Sequence, residues 1–281
     1  MARILLKTTI PFALDDWHID RFSLLCDHLR GLGHAATARD REMNSAGDDA
    51  QLVDLAAQPF DQLWLFAVDL GGGLTPADCA GIITFRARGG GVLTTRDHQD
   101  LGACLAGLGA LGAAHHFHSI NREPDTARHR ADALVTAAIT WPNYHSGATG
   151  DVQTIQALDA QHPLFADRVE QLPAHPHEGA VGVPRGAAAF ARVLATATSQ
   201  TSGRTFNSIV AFDGERDARG RPLGRAIAQS TFHHFCDYNW DPRRGSPSFV
   251  DEPPSDAVVR DPTLLRGVHA YTRNVAAWLN G

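Results

Sequence analysis

The run Gly89-Gly-Gly-Val-Leu-Thr-Thr-Arg-Asp97-His98-Gln-Asp100 puts ionisable side chains directly after a short apolar strand. In an open α/β sheet, ligands bind outside the carboxyl ends of the strands, so these residues sit where chemistry is done. Other segments repeat the arrangement. Asp15-Asp16-Trp17-His18 follows the first apolar run, Asp69 with Gly71-Gly-Gly73 follows the third, and His233-His234-Phe-Cys-Asp237 follows a late one. A parallel sheet would gather these loops on one edge. Imidazole and carboxylate groups together suit acid–base work and divalent-metal ligation. The catalytic candidates are Asp97, His98, Asp100 and Asp16. The metal candidates are His98, His177, Glu178, His233 and His234. Alternation in an extended His175-Pro-His177 segment puts both rings on one face. The substrate-binding candidates are Asp15 and His18, with Tyr144, His145 and Asp151 from a glycine-rich polar stretch. Asp16, Asp97 and Asp100 fit helix N-caps equally well. Side-chain alternation lets only one of His233 and His234 face the site. His115, His116 and His118 read as structural or exposed.

The elements that must position these groups alternate. Residues 3–10 read as a buried strand, and a helix follows over 17–32, capped by Asp15 or Asp16. A strand at 35–39, a helix at 48–57 and a strong strand at 60–68 come next. Thr75-Pro76-Ala-Asp78 has the form of a capping box with proline at the first helical position, and the helix should run to Arg88. Residues 92–95 form the fourth strand, and a helical pattern starts at Asp100. Strands at 190–199 and 205–212 are joined by Gln200-Thr-Ser-Gly203, and a strand over 225–231 runs into His233. Asp261-Pro262 caps a final helix within about 262–280. The pattern predicts a single α/β domain with a mostly parallel sheet, carrying an irregular insertion over about 113–180.

Composition narrows the class. The chain has 281 residues, 43% hydrophobic and 20% charged, which is ordinary for a soluble globular protein. Its net charge of −6 and lack of basic runs argue against nucleic acid as a partner. No apolar run reaches the roughly 18 residues that a membrane span needs. The N-terminal apolar stretch is short and broken by Lys7, unlike a signal peptide. Cys26, Cys79, Cys104 and Cys236 are scattered, which suits a reducing cytoplasm rather than a disulfide framework. The expected partner is a small-molecule substrate, with self-association left open.

Several stretches resemble one family. They are Phe60-Asp-Gln-Leu-Trp-Leu-Phe, Leu74-Thr-Pro-Ala-Asp, Gly89-Gly-Gly-Val-Leu, His162-Pro-Leu-Phe, Val193-Leu-Ala-Thr and Ser230-Thr-Phe-His-His. The chain resembles the ThuA-like (trehalose utilisation) branch of the class I glutamine amidotransferase-like superfamily. That resemblance implies a flavodoxin-like three-layer sandwich and a small polar, carbohydrate-like substrate. Members with amidotransferase activity carry a cysteine nucleophile on the turn after the fourth strand. Here that turn holds Arg96-Asp97-His98, and Cys104 falls further on. Thiolate chemistry on glutamine is therefore not expected.

Three functions remain. One is a hydrolase-like enzyme using a divalent transition metal such as zinc, with no nucleotide cofactor. The second is a metal-free acid–base enzyme centred on Asp97 and His98. The third is a non-catalytic binding protein that keeps the fold without the nucleophile.

Overall fold

The computed structural model describes residues 1–128 and 143–281. The expected insertion over 113–180 therefore lies partly outside the described residues. Four parallel strands come first: β1 (Arg3–Thr8), β2 (Ala35–Arg39), β3 (Gln62–Phe66) and β4 (Gly91–Thr95). The short β5 (His115–His116) and β8 (Ala180–Val181) pair with each other. The remaining strands are β6 (Val152–Ala157), β7 (Gln171–Pro173), β9 (Ala191–Thr198), β10 (Thr205–Phe212) and β11 (Ala226–Gln229). Among the described residues the main sheet runs β2-β1-β3-β4-β11-β10-β9-β6-β7.

The first five strands in that order are parallel and reproduce the 2-1-3-4-5 sequence of a flavodoxin-like sheet. An antiparallel wing of β10, β9, β6 and β7 extends it. The wing follows from the short 199–204 connection, which allows a hairpin but no crossover. The parallel strands end level with one another. Thr8 pairs with Phe66, Phe66 with Thr95, and Thr95 with Gln229. The loops after β1, β3, β4 and β11 thus leave one edge side by side.

Strands covered on both faces need apolar residues at every position. Leu63 and Leu65 point to one face, Trp64 and Phe66 to the other, and all four are buried. On the Trp64 face lie α1 (Ser23–Gly31) and α6 (Arg266–Trp278), held by Phe22, Leu25, Leu29, Tyr271 and Val275. On the opposite face lie α2 (Pro76–Ala87) and α3 (Gly109–Ala113), through Ile82, Phe85 and Leu111. Two single-turn helices, α4 (Asp237–Trp240) and α5 (Ala257–Arg260), complete the described helices.

Local chemistry sets the boundaries. The capping box of α2 forms as the sequence predicts, with Asp78 N donating to Thr75 Oγ1 and Thr75 N to the Asp78 carboxylate. The helix expected over 17–32 is split into a 3-10 turn at Ile19–Phe22 and α1. Its cap is remote: Asp237 accepts from Leu24 N at 2.8 Å and from Ser23 Oγ at 2.5 Å. The stretch 48–57 forms turns with one 3-10 segment, Leu55–Ala57, rather than a helix. Asp49 there accepts from Gln51 N and Leu52 N, a turn bond that competes with helix. The helix expected from Asp100 is a 3-10 turn at Ala103–Gly107 followed by α3, with left-handed Gly102 and Gly109 opening and dividing it.

Two buried ion pairs brace β1. Lys7 Nζ lies 2.9 Å from Asp49 and donates to Asp40 O, and Arg41 pairs with Asp78 at 2.8 Å. All four side chains are nearly inaccessible. Removing one partner leaves a buried charge uncompensated. Lys7→Met should destabilise the protein by about 3–5 kcal/mol in chemical denaturation. A loss below about 1 kcal/mol, the range of an exposed pair, would show that the pair does not brace the strand.

Candidate active site

The four aligned loops line a cavity of about 530 Å³. The loop after β1 supplies Asp16 and Trp17, and the loop after β3 supplies Val68 and Leu70. The turn after β4 supplies Asp97, His98, Gln99 and Leu101, and the segment after β11 supplies Phe232 and His233. Two further segments close it: His175 with His177, and Phe249 to Glu252.

Asp97 is the centre. Its Oδ2 lies 3.2 Å from His233 Nε2 and 3.2 Å from His98 Nδ1. Burial pushes this carboxyl up, but the charge and hydrogen bonding of the two imidazoles outweigh it and hold Asp97 well below its usual range. His175 stacks on His233 with ring centroids 3.3 Å apart and planes nearly parallel. Burial, reinforced by His233, pushes His175 well below its usual range and so keeps it neutral. Burial also lowers His233, opposed by Asp97. Among the described residues, His175 Nε2 and Asp97 Oδ1 are buried without a hydrogen-bond partner. One ligand atom each from Asp97, His175 and His233 falls within 4.8 Å of the others, a grouping that can hold a metal ion. On the other side of the cavity His177 Nε2 lies 3.0 Å from Glu252, and the His177 ring lies 4.7 Å from that of His98.

The turn that presents Asp97 is fixed from behind by Arg96. This fully buried guanidinium donates to the carbonyls of Leu101, His116 and Gln99 and lies over the Phe117 ring. Burial lowers it to about 9, so it remains a cation at neutral pH. Gln99 adopts a left-handed φ of +49°, a costly conformation that this cage of bonds sustains. Gly179 passes so close that a Cβ would lie 2.5 Å from Arg96 Nη1 and from Asp97 O.

The other expected site residues lie as follows. His234 turns away from the cavity. It sits 3.2 Å from Glu178 and 2.5 Å from Gln229, whose Oε1 accepts from Tyr271 Oη, while Ser230 Oγ donates to Glu178. Glu178 and His234 thus belong to a buried polar chain in the core, and His233 is the member of the pair that faces the site. Asp100 accepts from Ser119 N, Asp15 from Ser248 N and Asp151 from Val152 N. His18 packs edge-on against Phe12, and Tyr144 stacks on Phe206. The carbonyl of His145 accepts from Gln200 N. None of these lines the cavity. Sequence reasoning did not single out Arg96, Leu70, Phe249 or Glu252. Residues 240–254 carry no periodicity, and bonds from distant segments, Asp15 to Ser248, Arg21 to Gly245 and His177 to Glu252, fold this loop over the site.

No family model matches the chain, and no curated protein matches it. Its neighbours among solved structures are ThuA-like and glutaminase folds. A ThuA-like protein of Bacteroides uniformis is 10% identical over 99% of this chain and 91% of its own, with a TM-score of 0.47. Another from Parabacteroides merdae is 12% identical over 99% and 90%, also at 0.47. The glutaminase domain of Trypanosoma brucei CTPS is 14% identical over 99% and 94%, again at 0.47. The flavodoxin-like assignment rests on the strand order and register of this chain. No described helix is long and apolar enough to cross a membrane.

Arg96→Met would leave the buried carbonyl of His116 and the half-buried carbonyls of Gln99 and Leu101 without their donor. It should cost about 1–3 kcal/mol, the range for a buried group left unsatisfied. Gly179→Ala should cost about 1–3 kcal/mol through overpacking. Urea denaturation of both variants measures this, and wild-type stability in Arg96→Met would show that the turn holds without the guanidinium.

Proposed function

We propose that this protein is a hydrolase-like enzyme acting on a small molecule, with Asp97, His175 and His233 holding a divalent transition metal such as zinc. The observation that carries this reading is the pair of buried, unpartnered atoms, His175 Nε2 and Asp97 Oδ1, beside His233. Other buried side-chain atoms of the described residues also lack a partner, but these two stand on ligand-type side chains grouped with His233, which suits an ion. Two imidazoles and one carboxylate leave coordination positions open, as catalytic sites do and structural sites do not. A divalent ion supplies Lewis acidity that ionises water near neutral pH and polarises a substrate oxygen. The protein's own part is to hold these ligands, keep His175 neutral and exclude bulk water. His98 and His177 flank the cluster as proton-transfer groups, and Glu252 orients His177.

A second reading is favoured by one specific feature. The Asp97 carboxylate sits between two imidazoles at 3.2 Å each, the base-and-orienter arrangement of a metal-free acid–base enzyme. Chelation separates the two readings.

Elemental analysis of the purified protein should find close to one transition metal per chain. Adding zinc to chelated protein should raise Tm. His175→Ala and Asp97→Asn should lose both effects, while His118→Ala, at an exposed position, should keep them. Absence of metal together with no thermal shift for zinc, manganese, iron, cobalt or nickel would exclude the metal reading.

A further inference from the structure

The walls of the cavity say what it would accept. Above the histidine floor they are apolar, built from Val68, Leu101, Val250 and Phe232. At the mouth stand Leu70, 89% exposed, and Phe249, 59% exposed. Large apolar side chains so open to water, both lining a cavity with a polar floor, bury their surface when an apolar group enters beside them. The charges are one-sided. Asp16, Asp97, Asp251 and Glu252 line the cavity, and among the described residues no lysine or arginine does. The four carboxylates outnumber the two positive charges a divalent ion would bring, and an anion entering between low-dielectric walls would meet repulsion. Anionic substrates are ordinarily held by arginine or lysine, and neither is among the described residues of the lining. Sugar hydroxyls need directional partners all round, and Val68, Leu70, Leu101, Val250, Phe232 and Phe249 offer them none.

We propose that the substrate of this site is a neutral or cationic amphiphile, with an apolar arm lying against Leu70 and Phe249 and a polar or amine-bearing end on the histidine floor. The proposal rests on the reading that the Asp97–His175–His233 floor is the reacting centre, and it departs from the carbohydrate that family resemblance alone suggests. Leu70 lies in the loop beyond β3, between Asp69 and Gly71-Gly-Gly73, and Asp69 accepts from the amides of Gly71 and Gly73 on its far side. The acidic residues at the mouth, Asp16 and Asp251, set the charge preference.

Isothermal titration with four probes of similar size tests this on the purified protein, with zinc and after chelation. The probes are phenethylamine, 2-phenylethanol, phenylacetate and methyl glucoside. Phenethylamine and phenylethanol should bind, and phenylacetate should bind at least about tenfold more weakly than the amine. Methyl glucoside should give no binding heat. The double variant Leu70→Ser/Phe249→Ser should weaken phenethylamine by about tenfold or more, and Asp16→Asn/Asp251→Asn should narrow the gap between amine and acid. Phenylacetate or methyl glucoside binding as tightly as the amine would overturn the proposal, as would a Leu70→Ser/Phe249→Ser variant with unchanged affinity. The readout needs neither turnover nor metal. Zinc binding without amine selectivity would therefore overturn the substrate class alone, and amine selectivity without zinc binding would overturn the metal reading alone.

Discussion

Asp97 is a buried carboxylate at the edge of a hydrophobic sheet, and the site depends on keeping it ionised. A charge taken out of water without a partner costs several kcal/mol, roughly what a small protein has in hand. Two imidazoles at 3.2 Å meet that cost here. One is adjacent in the chain and the other comes from the far side of the sequence. β11 must therefore pair in register with β4, because Gln229 opposite Thr95 is what brings His233 alongside Asp97. His175 adds a further constraint. Stacked at 3.3 Å on His233, it can share that space only if the two rings are not both charged. Burial enforces this by keeping His175 neutral.

The surroundings are built to prevent this cluster from relaxing. Asn239 Nδ2 donates to His233 O and Trp240 Nε1 donates to His234 O, so α4 pins both carbonyls of the histidine pair. His234 enters the chain running from Tyr271 through Gln229 to Glu178, which ties α6 to β11 and to the segment carrying His175 and His177. Asp237 reaches back to cap α1. One short stretch after β11 thus supplies a site residue, a core polar network and a helix cap. Such a site is preorganised by bonds that do not touch substrate. Arg96 plays the same part behind the Asp97 turn, where three carbonyls and an aromatic face stand in for the solvent its charge has lost.

The parts legible in sequence are those set by local or periodic physics. The parallel strands are readable because both of their faces are buried, as Leu63 to Phe66 illustrate. Thr75, Pro76 and Asp78 state the start of α2 in their own order. The convergence of Asp97 and His233 is readable as a consequence of strands sharing an edge. What is not readable depends on contacts between distant segments. His175 and Glu178 are three residues apart and equally ligand-like, yet the first joins the cavity while the second goes to Ser230 and His234. Only the path of β8 against β5 and the close approach of Gly179 to Arg96 decide that. Asp100 looks equivalent to Asp97 until Gly102 breaks the expected helix and Ser119 claims its carboxylate. The cover formed by Phe249 to Glu252 is held by Asp15 on Ser248 and by His177 on Glu252, contacts between distant parts of the chain.

The fate of the cysteines shows why the edge of this sheet carries imidazoles. A thiolate nucleophile needs exposure and a positive setting. All four cysteines are buried, and burial raises each thiol, Cys79 to about 11 and Cys236 to about 12. Cys104, the nearest in sequence to the turn after β4, donates to Asp69 at 3.0 Å, and that carboxylate raises the thiol further. Asp69 in turn accepts from Thr9 and from the amides of Gly71 and Gly73, so the contact belongs to the scaffold of the glycine loop. The Cys104 sulfur is therefore part of the scaffold behind the site. The turn after β4 presents the Asp97 carboxylate, buried and ionised, with the imidazoles of His98, His175 and His233 packed around it. That combination suits ligation and proton transfer and gives thiolate attack no group to work with.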